Sequence, residues 1–271
     1  MTKFKNFLKL TSGTIYDYLN TVKFFKKKNN KNNNILNEIN KNGFYIIDNF
    51  FSEDKCNKIK EKIDNFINSG SKLIYFDEKI SDSRIYGSEF IDRDISEYKD
   101  NKLIREICSD YLKCEVDCLM TMANRIVFKK DNEGSGGGWH RDSIYRQFKS
   151  ILYLENVENV NGPFQFIKDS NKFWKKLSHT NILKKKINDT RFKNDEIDSL
   201  INKKNLQKIS LVGKKGTLIL VDTSLIHRGS PIQNEKRYAL TNYLYPKKTI
   251  HQYYNHFNPR IKNYSDIDAN V

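Results

Sequence analysis

Three short stretches carry residues whose types and spacing could do chemistry. The first is GSGGGWHRDS, residues 134–143, where His140 and Asp142 stand two apart behind a run of glycines. On an extended backbone such residues leave the same face, so an imidazole and a carboxylate can converge on one metal ion. The second is GTLILVDTSLIHRGSPI, residues 216–232, which places His227 just after an apolar run. The third is RYALTNYLY, residues 237–245, which opens on Arg237. Two histidines and one carboxylate make a facial triad that leaves coordination positions open on Fe(II). A buried arginine one strand away can grip a distal carboxylate with a two-pronged hydrogen bond. Together these residues suit a metal that must hold a chelating keto acid and oxygen.

The glycines have another purpose. A phosphate-binding loop needs a strand before it, a helix after it, and Gly-Lys-Ser/Thr at its end. GSGGG leads instead into Trp139 and then into strand-forming FKSILYL, so it reads as a turn in which the chain reverses tightly. Trp139 is expected to pack, and His179, His251 and His256, in polar and charged contexts, to lie on the surface. Arg141, Arg146, Gln147 and Lys149 flank the His-x-Asp pair. Strand alternation would turn about half of them to solvent and leave the others to meet an anionic substrate.

The elements that must position these residues follow from pattern. FFKKKNNKNNN, residues 24–34, is cationic and lacks a hydrophobic period, so residues 1–36 read as a basic Asn/Lys-rich segment and linker. FKNFLKLTSGTIYDYLNTVKFF, ahead of that run, could form a short amphipathic helix docked on the domain expected over 37–271. Asn42-Gly43 predicts a turn and Phe44 to Phe51 a strand. Ser52-Glu53-Asp54 then caps a helix carrying Cys56, Ile59, Ile63, Phe66 and Ile67 at helical spacing, which Gly70 stops. A second helix is expected between Asp100 and Leu112. Beyond Val116, CLMTMANRIVFKK, FKSILYLENV, GPFQFIK, GTLILVDTSLI and RYALTNYLY have strand composition, broken by a lysine-rich helical insertion over 172–206. Strands of this length and spacing suggest a sandwich, jelly roll or barrel.

Composition bounds the partners. A chain of 271 residues, 38% hydrophobic and 13% aromatic, supports one β-rich domain with a real core. The net charge of +15 raises nucleic acid, a membrane surface or an anionic substrate as partners. Lysine and asparagine are abundant together all along the chain, as an AT-rich coding sequence produces, and no compact Arg-rich patch interleaves with aromatics. No nucleic-acid partner is therefore expected. Cys56, Cys108, Cys114 and Cys118 form no CxxC pair and have no histidine beside them, which argues against a structural zinc site. Without an export signal or a long apolar run, a cytoplasmic protein with reduced thiols and no membrane span is expected.

In their order, WHRDS, FKSILYLENVENVNGPFQFIKDSNK and GTLILVDTSLIHRGSPIQNEKRYALTNYL resemble the phytanoyl-CoA dioxygenase family of Fe(II)- and 2-oxoglutarate-dependent oxygenases. KNGFYIIDNFFSEDKCNKIKEKI is similar to that family's N-terminal strand-helix unit, so the resemblance spans about residues 37–246. It implies an α+β fold with a mainly β core, a double-stranded β-helix (jelly roll) with flanking helices. It also implies that His140, Asp142 and His227 bind iron, and that Arg237 binds the 2-oxoglutarate C5 carboxylate. Arg125 and Ser230 stand where some members contact the cosubstrate. Two departures accompany them: Val127 replaces a polar residue, and Arg228 separates His227 from Gly229-Ser230. The implied reaction uses O2 and 2-oxoglutarate, yields succinate, and hydroxylates a small-molecule or carrier-bound metabolite. Asp142 argues against halogenation, for which relatives need a small residue there. Two other classes stay open from the residues: a catalytically silent jelly-roll binding protein, and a zinc hydrolase in which Arg237 has no task.

Overall fold

The computed structural model describes residues 32–253 together with Phe7, Leu8, Thr11, Ser12 and Phe257. Ten strands, six helices and one short 3-10 turn lie within residues 33–246, and residues 250–253 are helical as well. In chain order they are α1 (Asn33–Asn42), β1 (Phe44–Ile47), α2 (Glu53–Asn68), β2 (Ile74–Phe76), β3 (Asp82–Tyr86), α3 (Arg93–Lys99) and α4 (Lys102–Leu112). There follow β4 (Val116–Val127), β5 (Phe148–Tyr153), β6 (Phe164–Ile167), α5 (Phe173–Ile182), α6 (Asn194–Lys204), β7 (Lys208–Leu211), β8 (Leu218–Asp222), β9 (His227–Gly229) and β10 (Lys236–Pro246).

The strands form a seven-stranded sheet ordered β1-β8-β5-β10-β4-β3-β2 and a three-stranded sheet ordered β7-β6-β9, with every pairing antiparallel. Period-2 alternation assigns the faces. Leu218 and Leu220 of β8, Leu152 of β5 and Leu240 of β10 point outward, into a core shared with Leu36, Ile39, Ile59 and Ile63 of the helices. Ile219, Val221, Tyr153 and Ala239 point inward, against Phe164 and Phe166 of the smaller sheet. Both faces of the large sheet are thus covered, one by helices and one by the second sheet, as the jelly-roll expectation requires.

Helix α2 follows its sequence signals. The Ser52 hydroxyl accepts from the Lys55 amide at 3.3 Å, and Cys56, Ile59, Ile63 and Ile67 are buried. The helix predicted before Leu112 is α4, and the lysine-rich insertion holds α5 and α6. The turn at Asn42-Gly43 closes a helix: Gly43 takes φ 87° and its amide donates to Ile39 O at 2.8 Å. Helix α1 begins at Asn33, where Leu36 and Ile39 find an apolar seat that the polar sequence around them does not advertise. A truncation meant to spare the fold must therefore stop before α1. Residues 24–31 of the expected linker lie outside the described residues, as do most of those in the expected N-terminal helix. Phe7, from that stretch, sits 6.3 Å from Phe173 and 6.4 Å from Trp174.

Candidate active site

The His-x-Asp segment is clamped by the chain that leaves β8. His140 and His227 exchange backbone hydrogen bonds at 2.8 Å in both directions, and the Asp142 amide donates to Thr223 O at 3.1 Å. This reciprocal bridge adds residue 140 to the edge of the smaller sheet beside β9 and brings the two imidazoles together, centroids 4.3 Å apart. The turn that carries His227 is organised by Asp222. Its buried carboxylate accepts from Tyr111 Oη at 2.8 Å, Asn171 Nδ2 at 2.9 Å and the Ser224 amide at 2.9 Å.

The glycine run is a left-handed turn, with Gly134, Gly136, Gly137 and Gly138 all at positive φ. At Gly136, with φ 92°, a Cβ would lie 2.4 Å from His140 Cε1. Gly136→Ala should therefore push the imidazole out of place in a protein that stays folded. Metal affinity is expected to fall by about tenfold or more, the scale seen when a ligand loses its orientation. Titration with Mn(II), alongside thermal unfolding, checks this, and affinity within threefold of wild type would show that the ring does not depend on this glycine.

One donor atom each from His140, Asp142 and His227 lies within 4.8 Å of the others. Nδ1 of His140 sits 2.9 Å from Gly138 O, and Nδ1 of His227 sits 2.9 Å from Leu225 O. A carbonyl can only accept, so each Nδ1 carries the hydrogen and each Nε2 keeps its lone pair. Burial, aided by His227, pushes His140 down to about 3, and burial also lowers His227, so both rings are neutral near pH 7. Burial alone would raise the Asp142 carboxyl, but Lys149, then His227 and His140, hold it well below the usual carboxylate range. Two neutral imidazoles and an ionised carboxylate form a donor set that fits Fe(II).

These residues open on a cavity of about 690 Å³ that Arg237, Tyr153, Phe164, Lys149 and Tyr243 also line. Arg237 is 5% exposed, its Nη1 donates to Gly162 O, and its Nε has no hydrogen-bond partner among the described residues. No carboxylate among them pairs with it, and burial lowers its pKa. Asp82, itself paired with Arg84, acts on it only from beyond ion-pair distance, and a buried guanidinium with an unfilled donor is costly.

Two expected cosubstrate residues fare differently. Arg125 leaves the opposite face of β4, where its Nη1 lies 2.7 Å from Asp64 Oδ1 on α2, so the structure does not bring it to the site. Alternation is the reason: the inward position belongs to its neighbour Asn124, which lines the cavity. Ser230 is buried with an unpartnered Oγ but does not line the cavity. Lys149 faces inward at 9% exposure, and Arg141 also lines the cavity, with its Nη2 donating to Ser170 O at 3.1 Å. Trp139 packs in the core beneath α6, as expected. His251 is exposed, and His256 lies outside the described residues. His179 is not a surface residue: it is 1% exposed, because α5 presses that face of the insertion onto the domain. Sequence reasoning missed Arg84, Tyr243 and Tyr245 as cavity residues. The same alternation that carries Arg237 inward along β10 could have found the two tyrosines.

The fold and the donor set define a non-haem iron oxygenase. The phytanoyl-CoA dioxygenase model matches residues 39–239, and the chain belongs to that family of Fe(II)- and 2-oxoglutarate-dependent oxidoreductases. No curated protein matches the chain. Among solved structures it resembles SnoN, the non-heme alpha ketoglutarate dependent epimerase of nogalamycin biosynthesis, at TM-score 0.58 and 8% identity, covering 79% of this chain and 82% of that one. HygX from Streptomyces hygroscopicus, solved with nickel, 2-oxoglutarate and hygromycin B, matches at TM-score 0.54 and 11% identity over 79% and 87% of the two chains. SnoK, a carbocyclase of nogalamycin biosynthesis, matches at 0.55 and 9%, over 81% and 85%. Identities this low carry the fold and not the reaction.

Proposed function

We propose that this protein couples the oxidative decarboxylation of 2-oxoglutarate to hydroxylation of a small organic molecule, with His140, Asp142 and His227 as the iron ligands. The observation that carries the reading is the reciprocal His140–His227 bridge, which aims two metal-competent nitrogens and one carboxylate into the cavity that Arg237 also lines. When bound, Fe(II) would supply the redox chemistry by which O2 oxidises the keto acid and the substrate. Arg237 would bind the C5 carboxylate with its unpartnered Nε and its Nη groups. Tyr153 and Phe164 form the wall beside it; the Tyr153 hydroxyl is held by Leu211 O and the Phe164 amide, both at 2.9 Å, so that wall is fixed and excludes water.

Substrate recognition falls to the other end of the cavity, lined by Met122, Tyr243, Tyr245, Gln252, Tyr253 and Phe257. Tyr245 and Tyr253 stack at 3.8 Å, which joins β10 to the C-terminal segment at the mouth. An anionic substrate has limited support. Lys149 is paired with Asp142, Arg84 with Asp82 at 2.6 Å, and Arg146 with Tyr111 O at 3.3 Å. A substrate anion near these groups would have to displace one of their contacts, whereas Arg141 and Arg191, which also line the cavity, donate to carbonyls and keep their charge for such a group. No helix among the described residues is long and apolar enough to cross a membrane. A cytoplasmic location belongs to the same proposal, motivated by Cys56, Cys108 and Cys118, which are buried reduced thiols.

The test is succinate formation from 2-oxoglutarate by anaerobically Fe(II)-loaded protein after admission of O2, without a prime substrate. Slow, metal-dependent succinate is expected, with one iron per chain by native mass spectrometry. Succinate no higher than in chelator-treated protein would leave a binding protein that keeps the fold without its chemistry.

A further inference from the structure

Lys149 sits where no ordinary core lysine would. Its Cα pairs with Tyr243 on β10 and Val221 on β8, in the inward row of the large sheet, and it is 9% exposed. Its Nζ lies 2.7 Å from Asp142 Oδ2 and 4.2 Å from the centre of the Tyr243 ring. Lys149 is thus the nearest counter-charge to Oδ2, which also lies 3.9 Å from His227 Nε2, while Oδ1 is 3.7 Å from His140 Nε2. The two carboxylate oxygens therefore have different surroundings. Each stands near one donor imidazole, but only Oδ2 also meets a cation, fixed on a central strand.

That asymmetry matters for coordination. A metal held by two imidazoles and both carboxylate oxygens would lose one of the positions for which a two-toothed keto acid, anchored at its far end by Arg237, must compete. Held through one carboxylate oxygen, it keeps a further position open. We propose that Lys149 is a positioning residue that reserves Oδ2 and keeps Asp142 a one-oxygen ligand. This rests on the reading of His140, Asp142 and His227 as the metal ligands. The aromatic ring of Tyr243 helps by holding the ammonium in place through a cation–π contact. A lysine stem on a strand buried on both faces has few other rotamers to adopt, so the charge stays where the carboxylate needs it.

Three variants test this in the full chain: Lys149→Met, Lys149→Arg and Lys149→Gln, each checked for folding by circular dichroism. Fe(II) is titrated anaerobically by calorimetry, and 2-oxoglutarate is then titrated into the metal-loaded protein by its charge-transfer absorption. In Lys149→Met the keto acid must displace a second carboxylate oxygen, so its affinity should fall about tenfold or more while Fe(II) affinity changes less than about threefold. Lys149→Arg, which keeps a cation at Oδ2, should return 2-oxoglutarate affinity to within about threefold of wild type. If Lys149→Met does not fold, Lys149→Gln is held to the same thresholds. Unchanged 2-oxoglutarate affinity in the uncharged variant overturns the proposal, as does an equal loss of metal and keto acid without rescue by arginine. Wild-type protein that binds neither Fe(II) nor 2-oxoglutarate would instead remove the metal reading, and Lys149 with it.

Discussion

His140→Ala is expected to lose Fe(II) affinity by more than about 10²-fold and to form no succinate above the level of chelator-treated protein. Changes to groups that only orient a ligand cost roughly 10–100-fold, and removing a donor from a set of three must cost more. The substitution is a clean one. The bond pair between residues 140 and 227 is made by backbone, at 2.8 Å in both directions, and does not need the imidazole. Asp142 keeps Lys149, and His227 keeps its contact with Leu225 O. The variant should therefore fold, and its melting temperature should stay within a few degrees of wild type while its chemistry disappears. Succinate formation within tenfold of wild type would remove His140 from the metal site.

Arg237→Ala should raise the 2-oxoglutarate requirement far more than the iron requirement. Each charge-assisted hydrogen bond from a guanidinium to a carboxylate contributes roughly 1.5–3 kcal/mol. Losing two, in a pocket where the arginine is 5% exposed, should cost about 3–5 kcal/mol, or on the order of 10²–10³ in affinity. Arg237→Lys should recover only part of this, because an ammonium cannot reproduce the planar fork. The side chain shows in advance what it lacks: Nη1 has Gly162 O, but Nε has no partner among the described residues. Titrating 2-oxoglutarate into Fe(II)-loaded protein and following the charge-transfer band measures the effect. A shift smaller than about threefold, under roughly 0.7 kcal/mol, would show that the cosubstrate carboxylate binds elsewhere.

The sequence by itself determined the elements and the cast of the site. Strand composition between turn signals wrote β5, β8 and β10, and Ser52 with its helical apolar series wrote α2. His140, Asp142, His227 and Arg237 were legible as candidates because metal ligation and carboxylate binding each require particular side chains, and the family resemblance picks out the same four. Short elements escaped, because β9 spans only His227–Gly229 and has no period to read. Only the tertiary structure decided which face each neighbour of a named residue would take. Arg125 and Asn124 are adjacent in sequence, yet one meets Asp64 on α2 and the other lines the cavity. Strand alternation says that they part, but not which way, since the choice is set by the register of β4 against β3 and β10. The pairing of Lys149 with Asp142 was likewise beyond reach. It depends on a backbone bridge between residues 140 and 227, a contact across most of the domain that no local pattern encodes.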